Sequence, residues 1–70
     1  MMTDEIIAIL ADCPEGLKVT EIARALEPKA CGARVDELFY LIDKECMRLT
    51  YKGTLQHDVA DGLPLYRMVR

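Results

Sequence analysis

The sequence contains no serine, so the nucleophile of the common serine-hydrolase triads is absent. Its only histidine is His57, and no cysteine lies near it, so a Cys-His pair would have to be created by folding. Neither a Gly-x-Gly-x-x-Gly nor a Walker pattern is present to hold nucleotide phosphates. A chain of this size also encloses little pocket volume. We therefore expect neither an enzyme nor a bound cofactor.

Cysteine is scarce, odd in number and widely spaced. Cys13, Cys31 and Cys46 do not have the pattern of a disulfide framework. A zinc site would need all three together with His57, and the sequence has no Cys-x-x-Cys pair to start one. We therefore expect reduced thiols that pack as small hydrophobic residues, and no bound metal.

No long hydrophobic run is present. The longest run, Ile6–Ala11, is far shorter than the roughly 18 residues that a membrane span needs. Asp4 and Glu5 precede it, whereas a secretory leader has basic residues in that place. We therefore expect no membrane partner and a cytoplasmic location.

The composition is typical of one small globular domain over residues 1–70, with 51% hydrophobic and 30% charged residues. At this length the core is marginal, because only about 60% of the unfolded surface becomes buried. The net charge is −3 and uneven, since the first 16 residues hold four acidic and no basic side chains. A mildly acidic chain exerts no long-range attraction on phosphates, so any nucleic-acid binding has to come from a local basic patch.

The first half of the sequence predicts two helices separated by a short extended segment. Thr3 is a candidate cap for a helix that runs to about Asp12. Leu17–Val19 follows as the extended segment, and Thr20 is a candidate cap for the second helix. Pro28 ends that helix, because the residue before a proline is pushed out of helical geometry.

The second half predicts a longer helix and a β-hairpin. The helix begins near residues 30–33 and ends at about Cys46. After Met47 the apolar spacing changes to two, which predicts a strand over residues 49–55. Residues 56–62 are then expected to form a loop with Asp-Gly as its turn, and residues 65–69 the returning strand.

The third helix is expected to have one buried and one exposed face. The residues that share the buried face by helical spacing are Val35, Leu38, Phe39, Ile42 and Cys46. The opposite face carries Ala33, Glu37, Tyr40 and Lys44, flanked by Arg34, Asp36 and Leu41. This outer face is where a partner would bind.

Three segments together resemble the winged helix-turn-helix family over almost the whole chain. "VTEIARAL" is similar to the first helix of the pair, "RVDELFYLID" to the recognition helix, and "MRLTYKGTL" with "LPLYRMV" to the wing hairpin. The resemblance implies an α+β fold of three helices and a small antiparallel sheet in the order α-β-α-α-β-β. It places the helix-turn-helix at about residues 20–46 and the wing at about residues 48–69. The function it implies is transcriptional regulation through double-stranded DNA.

The resemblance also implies a set of DNA-binding residues. They are Lys29, Ala33, Arg34, Glu37, Tyr40 and Lys44 on the recognition helix, with Lys52, Gln56 and His57 on the wing. Arg34 is the best candidate for reading a base, because its guanidinium can pair with both acceptors of guanine. The alternative for Arg34 is an ion pair with Glu37 three residues on. His57 has the alternative of a solvated loop residue, and Lys44 that of an ordinary solvated face.

A second hypothesis is a winged-helix module that binds a protein and no DNA. The recognition helix is acidic through Asp36, Glu37, Asp43 and Glu45, and the chain has no asparagine to read adenine. Tyr40 and Leu41 add apolar area to a face that water should cover, which favours a protein contact there. The basic residues of the hairpin, Arg48, Lys52 and Arg67, would then only protect a sheet edge.

A homodimer is expected under both hypotheses. The first helix is apolar over more than half of its circumference, through Ile6, Ile7, Ile9, Leu10, Ala11 and Cys13. Two other helices cannot easily cover so much apolar surface, so a second copy is expected to cover the rest.

Overall fold

The computed structural model describes residues 2–69, and within this range it consists of three helices and a three-stranded antiparallel sheet. The helices are α1 (Met2–Ala11), α2 (Val19–Leu26) and α3 (Ala33–Tyr51). The strands are β1 (Leu17–Lys18), β2 (Leu55–Ala60) and β3 (Leu63–Met68), and β3 lies between the other two. The α+β class and the order of the elements are confirmed.

Helix α1 packs on the rest of the chain through Ile6 and Leu10, which are both fully buried. Its neighbours are β3, α2 and α3. The prediction that Thr3 caps this helix is wrong, because the helix already includes Met2. The Thr3 hydroxyl instead donates a hydrogen bond to the Glu45 carboxylate, so it ties α1 to the middle of α3.

Helix α2 begins two residues earlier than predicted. Lys18, not Thr20, is the N-cap, and its backbone N–H donates to the Glu21 carboxylate at 2.9 Å. This bond satisfies a backbone donor at the start of the helix, and it is one of the two hydrogen bonds that make up a capping box. The end of α2 at Leu26, two residues before Pro28, is as predicted. Ile22 and Ala23 bury its inner face.

Helix α3 is longer than predicted, since it continues past Cys46 to Tyr51. Leu49 follows Cys46 by three residues and is as deeply buried, so it extends the apolar stripe by another turn. Gly53, the residue after the C-cap Lys52, has φ +83° and donates to the Thr50 carbonyl at 3.0 Å. The next N–H, from Thr54, reaches the Leu49 carbonyl at 2.9 Å, which completes a Schellman motif.

The hairpin is shifted along the sequence relative to the prediction. Residues 49–51 belong to α3, and residues 56–60, predicted as loop, form β2. The predicted Asp-Gly turn is confirmed: Asp61 and Gly62 connect β2 to β3 with φ values of 55° and 78°. Positive φ at both positions is the signature of a type I′ turn, whose twist matches that of paired strands.

The core lies between the three helices and the inner face of the sheet. Its largest fully buried side chain is Tyr66 on β3, whose hydroxyl donates to the Asp43 carboxylate on α3 at 3.2 Å. Burial raises the pKa of Tyr66, and the adjacent Asp43 carboxylate raises it further. This hydrogen bond links the sheet to α3 next to the outer face of the helix.

Candidate functional site

All nine residues of the predicted DNA-binding set are solvent-exposed. Ala33, Arg34, Glu37, Tyr40 and Lys44 lie on α3, and Lys29 lies in the connection between α2 and α3. Lys52 is the residue that caps the end of α3. Gln56 and His57 lie on β2, so their predicted place in a loop is wrong.

The outer face of α3 carries a row of exposed side chains at helical spacing. Tyr40 is 65% exposed, Met47 39% and Tyr51 85%. Lys44 lies between them in the row, with its Nζ 5.9 Å from the centre of the Tyr40 ring. Steps of four, three and four residues keep these side chains on one side of a helix. We call Tyr40, Lys44, Met47 and Tyr51 the α3 row; the prediction missed its last two members because it ended the helix too early.

A cleft joins the α3 row to the turn of the hairpin. Its volume is about 380 Å³, and it is lined mainly by apolar side chains of α2, α3 and β3. The lining residues are Lys18, Val19, Thr20, Phe39, Tyr40, Asp43, Leu63 and Pro64. Tyr40 therefore belongs both to the row and to the cleft. The two elements that the sequence singled out for partner binding border one continuous surface.

Leu41 faces away from that cleft. It is 36% exposed and lines a separate groove with Met2 and Thr3 of α1. Tyr40 and Leu41, which were predicted to act together in a protein contact, lie about 100° apart around α3 and line separate grooves.

Arg34 is held by two carboxylates. Its Nε donates to Glu27 Oε1 at 2.9 Å, and a second nitrogen contacts the other oxygen of the same carboxylate. Its third nitrogen contacts Glu37, so the ion pair proposed as the alternative reading is present. The hydrogen bond with Arg34 lowers the pKa of Glu27, and the bond with Glu27 raises that of Arg34. Arg34 thus has no nitrogen without an acidic partner.

The hairpin also pairs its basic residues with acids. Arg67 lies 2.9 Å from Asp58, and Lys18 of β1 lies 3.3 Å from Asp61 in the turn. At the base of the hairpin, Arg48 is paired with Glu45. The predicted basic strip of Arg48, Lys52 and Arg67 is therefore largely neutralised. Among residues 2–69, the basic side chains without an ion pair are Arg24, Lys29, Lys44 and Lys52.

Gln56 and His57 project to opposite faces of the sheet, because successive residues of a strand alternate. His57 is paired across the hairpin with Tyr66, and their ring centres are 5.3 Å apart at an interplanar angle of 54°. Gln56 is paired with Arg67 on the other face. The two residues therefore cannot both contact the same stretch of a partner.

The remaining candidate chemistry is modest. Cys13 is half-buried, Cys31 exposed and Cys46 buried, and all three are free thiols. Burial raises the pKa of Cys46 to about 12, so this thiol stays protonated at neutral pH. In the part of the chain from residue 2 to residue 69, no three His, Cys, Asp or Glu side chains converge on a point where a metal ion could bind.

The apolar surface of α1 is covered by the chain itself. Ile7 and Ile9 are half-buried, and no residue of α1 is among the large hydrophobic side chains found exposed in residues 2–69. The exposed ones lie on α3, on the hairpin and at Val69. A homodimer stays a prediction, and the large apolar side chains left exposed for it lie on α3, on the hairpin and at Val69.

Searches against family models, curated proteins and solved structures found no match for this chain. The described helices are all too short or too polar to cross a lipid bilayer.

Proposed function

We propose that this chain is a winged-helix DNA-binding domain that acts as a transcriptional regulator. Helix α3 is the recognition helix in this proposal, α2 its partner in the helix-turn-helix, and the β2–β3 hairpin the wing. The observation that supports it is the continuous surface from Lys44 and Tyr40 on α3 across the cleft to Leu63 and Pro64 at the end of the hairpin. A recognition helix and a wing have to border one surface if both are to touch the same duplex.

The dimensions agree with this role. An α-helix with its side chains is about 10–12 Å across, and the major groove of B-DNA is about 12 Å wide. The inner side of α3 packs on α2 and the sheet through Leu38 and Ile42, which leaves the outer side free. The helix can therefore enter a groove without loss of its core contacts.

The basic residues that make no ion pair are the ones that can contact phosphates first. Lys29 lies before α3, Lys44 in its middle and Lys52 at its end, so they are distributed along the helix. Each neutralised phosphate contributes about −0.9 to the slope of log K against log salt. Two or three such contacts give a slope of roughly −2 to −3. This is a weak general affinity, as expected for a chain with net charge −3.

Chemical-shift mapping of the ¹⁵N-labelled protein with a mixed-sequence duplex tests the proposal. Amide signals of α3 and of Lys52 should move together on titration, while those of α1 stay in place. Lys44→Gln should weaken binding more than Arg24→Gln, which removes the same charge from an exposed unpaired position on α2. Equal effects of the two variants, or shifts confined to α1, would contradict the assignment of α3 to the groove.

A second candidate function is binding of a protein through the α3 row. The observation that favours it is the amount of apolar side chain left in water, at Tyr40, Met47 and above all Tyr51. Exposed tyrosines on a helix are frequent anchors of protein interfaces. In this case a partner retained by the wild type should be lost with Tyr40→Glu and kept with Asp36→Asn. Retention by both variants would dismiss the α3 row as that interface.

A further inference from the structure

We propose that Glu27 and Glu37 act as intramolecular competitors of DNA for Arg34 and so limit the affinity of the recognition helix. The inference rests on the proposed DNA-binding function and deepens it. It assigns a role to two carboxylates, one of which lies outside α3.

The guanidinium of Arg34 is already bound along one edge by a carboxylate. The Glu27 carboxylate takes two guanidinium nitrogens side by side, through its two oxygens. A phosphate, or the O6 and N7 acceptors of guanine, would occupy the same edge of the guanidinium in the same forked arrangement. Glu37 occupies the remaining nitrogen. A ligand that binds this edge of Arg34 therefore has to displace the Glu27 carboxylate, and the two N–H groups that stay free belong to nitrogens already in contact with an acid.

The two acids lie on either side of the connection between α2 and α3. Glu27 is the C-cap of α2, and Glu37 lies one helical turn after Arg34, so the contacts bridge the end of α2 and the start of α3. The side chains of Arg34, Glu27 and Glu37 are 42%, 40% and 60% exposed, respectively. Water and salt reach these pairs and screen them, so the contacts can open. Arg34 is therefore paired with acids but still accessible from solvent.

The two carboxylates also change the charge that the start of α3 presents to DNA. With both carboxylates in place, the start of α3 presents no excess positive charge to a phosphate. If Arg34 leaves them for DNA, two uncompensated carboxylates stay close to the phosphate backbone and repel it. Neutralising the acids should remove both the competition and this repulsion, and Arg34 should then add one phosphate or base contact.

The test is fluorescence anisotropy of a labelled duplex with the double variant Glu27→Gln, Glu37→Gln, measured at several salt concentrations. Binding should tighten by roughly three- to tenfold at low salt, and the salt slope should become steeper by about 0.9. Asp36→Asn is the matched control, because it removes an exposed carboxylate of α3 that does not contact Arg34. The same double variant in an Arg34→Gln background completes the cycle. Circular dichroism checks that every variant is folded.

The outcomes separate the inference from the function on which it rests. Tightening that disappears in the Arg34→Gln background supports the competition, even if the wild type binds too weakly to measure. Equal tightening with and without Arg34, or with Asp36→Asn, means general repulsion and overturns it. Measurable wild-type binding that the double variant leaves unchanged overturns the inference and keeps the function. Absence of binding by every variant overturns both.

Discussion

At the scale of single residues, Gly16 is the glycine at which a side chain would be least tolerated. It has φ +89°, and a Cβ placed on it would lie 2.6 Å from a Leu65 methyl carbon and 2.8 Å from the Tyr66 carbonyl oxygen. Gly53 has nearly the same φ, +83°, but a Cβ there would meet nothing within 4 Å. Substitutions at Gly53 and Gly16 can therefore be compared to separate the cost of a left-handed backbone from the cost of a steric clash.

We expect Gly53→Ala to lower the free energy of unfolding by about 1 kcal/mol and Gly16→Ala by about 3 kcal/mol. The first figure is the strain of a left-handed alanine, and the second adds the displacement of β3. Urea denaturation measures both variants under one set of conditions. Equal losses would mean that β3 moves away from residue 16 without cost.

Glu45 gives the protein a pH-dependent contact between α1 and α3. The hydrogen bonds from Arg48 and Thr3 lower the pKa of its carboxyl to about 2. A lowered folded-state pKa contributes stability above the ordinary value near 4.5, and this contribution disappears as the pH falls towards 2.

Glu45→Gln should therefore be less stable than the wild type at pH 7, by about 1 kcal/mol once solvent screening is allowed for. The difference should shrink as the pH falls below 4.5 and vanish only below about pH 2, once the Glu45 carboxyl is protonated in the folded state as well. Thermal unfolding followed by circular dichroism across this range measures it. A difference that stays constant with pH would assign the effect to packing.

The sequence was sufficient to predict part of the exposed face of α3 and the local pair of Arg34 with Glu37, but not the contact of Arg34 with Glu27. Helical spacing alone placed Tyr40 and Lys44 on the outer face and Arg34 on its flank. The contact between Arg34 and Glu27 crosses the connection between α2 and α3 at a separation of seven residues. No local spacing rule covers such a pair, because its geometry depends on how that connection folds back.

At the scale of the elements, the end of α3 shows why the boundary was misplaced. Leu49 and Tyr51 are two residues apart, which reads equally well as the alternation of a strand. A strand would place both on the same face, whereas in α3 Leu49 is 3% exposed and Tyr51 85%. The step of three from Cys46 to Leu49 was the signal for a continuing helix.

This difference in burial predicts opposite results for two alanine substitutions. Leu49→Ala should cost about 2–5 kcal/mol of stability, since it opens a cavity in the core. Tyr51→Ala should change stability by no more than about 0.5 kcal/mol, because its side chain lies in water. Urea denaturation of the two variants decides the matter. Comparable losses would place Tyr51 in a packed environment and contradict the helical end.

Strand β2 was invisible to pattern reading for a different reason. Of its six residues only Leu55 is buried, so no alternation of apolar and polar residues exists to be found. It pairs on one side only, with β3, and its polar residues 56–58 cover an edge. The Asp-Gly turn was predictable, because that dipeptide favours the positive φ values which the turn needs.

At the scale of the whole molecule, charge and apolar surface compete for the same face. Arg34, Arg48 and Arg67 are paired with acids, whereas Tyr40, Met47 and Tyr51 are open to water. A second copy of the chain and a DNA duplex would therefore use overlapping parts of α3. Dimer formation through this face would compete with DNA binding.

The homodimer was predicted to use α1, but the large exposed apolar side chains lie elsewhere, so a dimer should depend on the α3 row. Sedimentation velocity at tens of micromolar should then give a dimer for the wild type and a monomer for Tyr51→Glu, which places a charge in the interface. Ala11→Glu is the control on the exposed surface of α1. A monomeric wild type would contradict the predicted dimer. Loss of the dimer with Ala11→Glu would place the dimer interface on α1.

The central claim is that α3 and the hairpin bind double-stranded DNA, and an anisotropy titration of a labelled mixed-sequence duplex tests it most directly. From about 20 to 200 mM salt we predict binding in the micromolar to tens-of-micromolar range, with log K falling at a slope of roughly −2 to −3. Lys44→Gln should flatten that slope by about 0.9. No binding at the lowest salt with the protein at about 100 μM would contradict the claim, and the α3 row would then be interpreted as a protein interface.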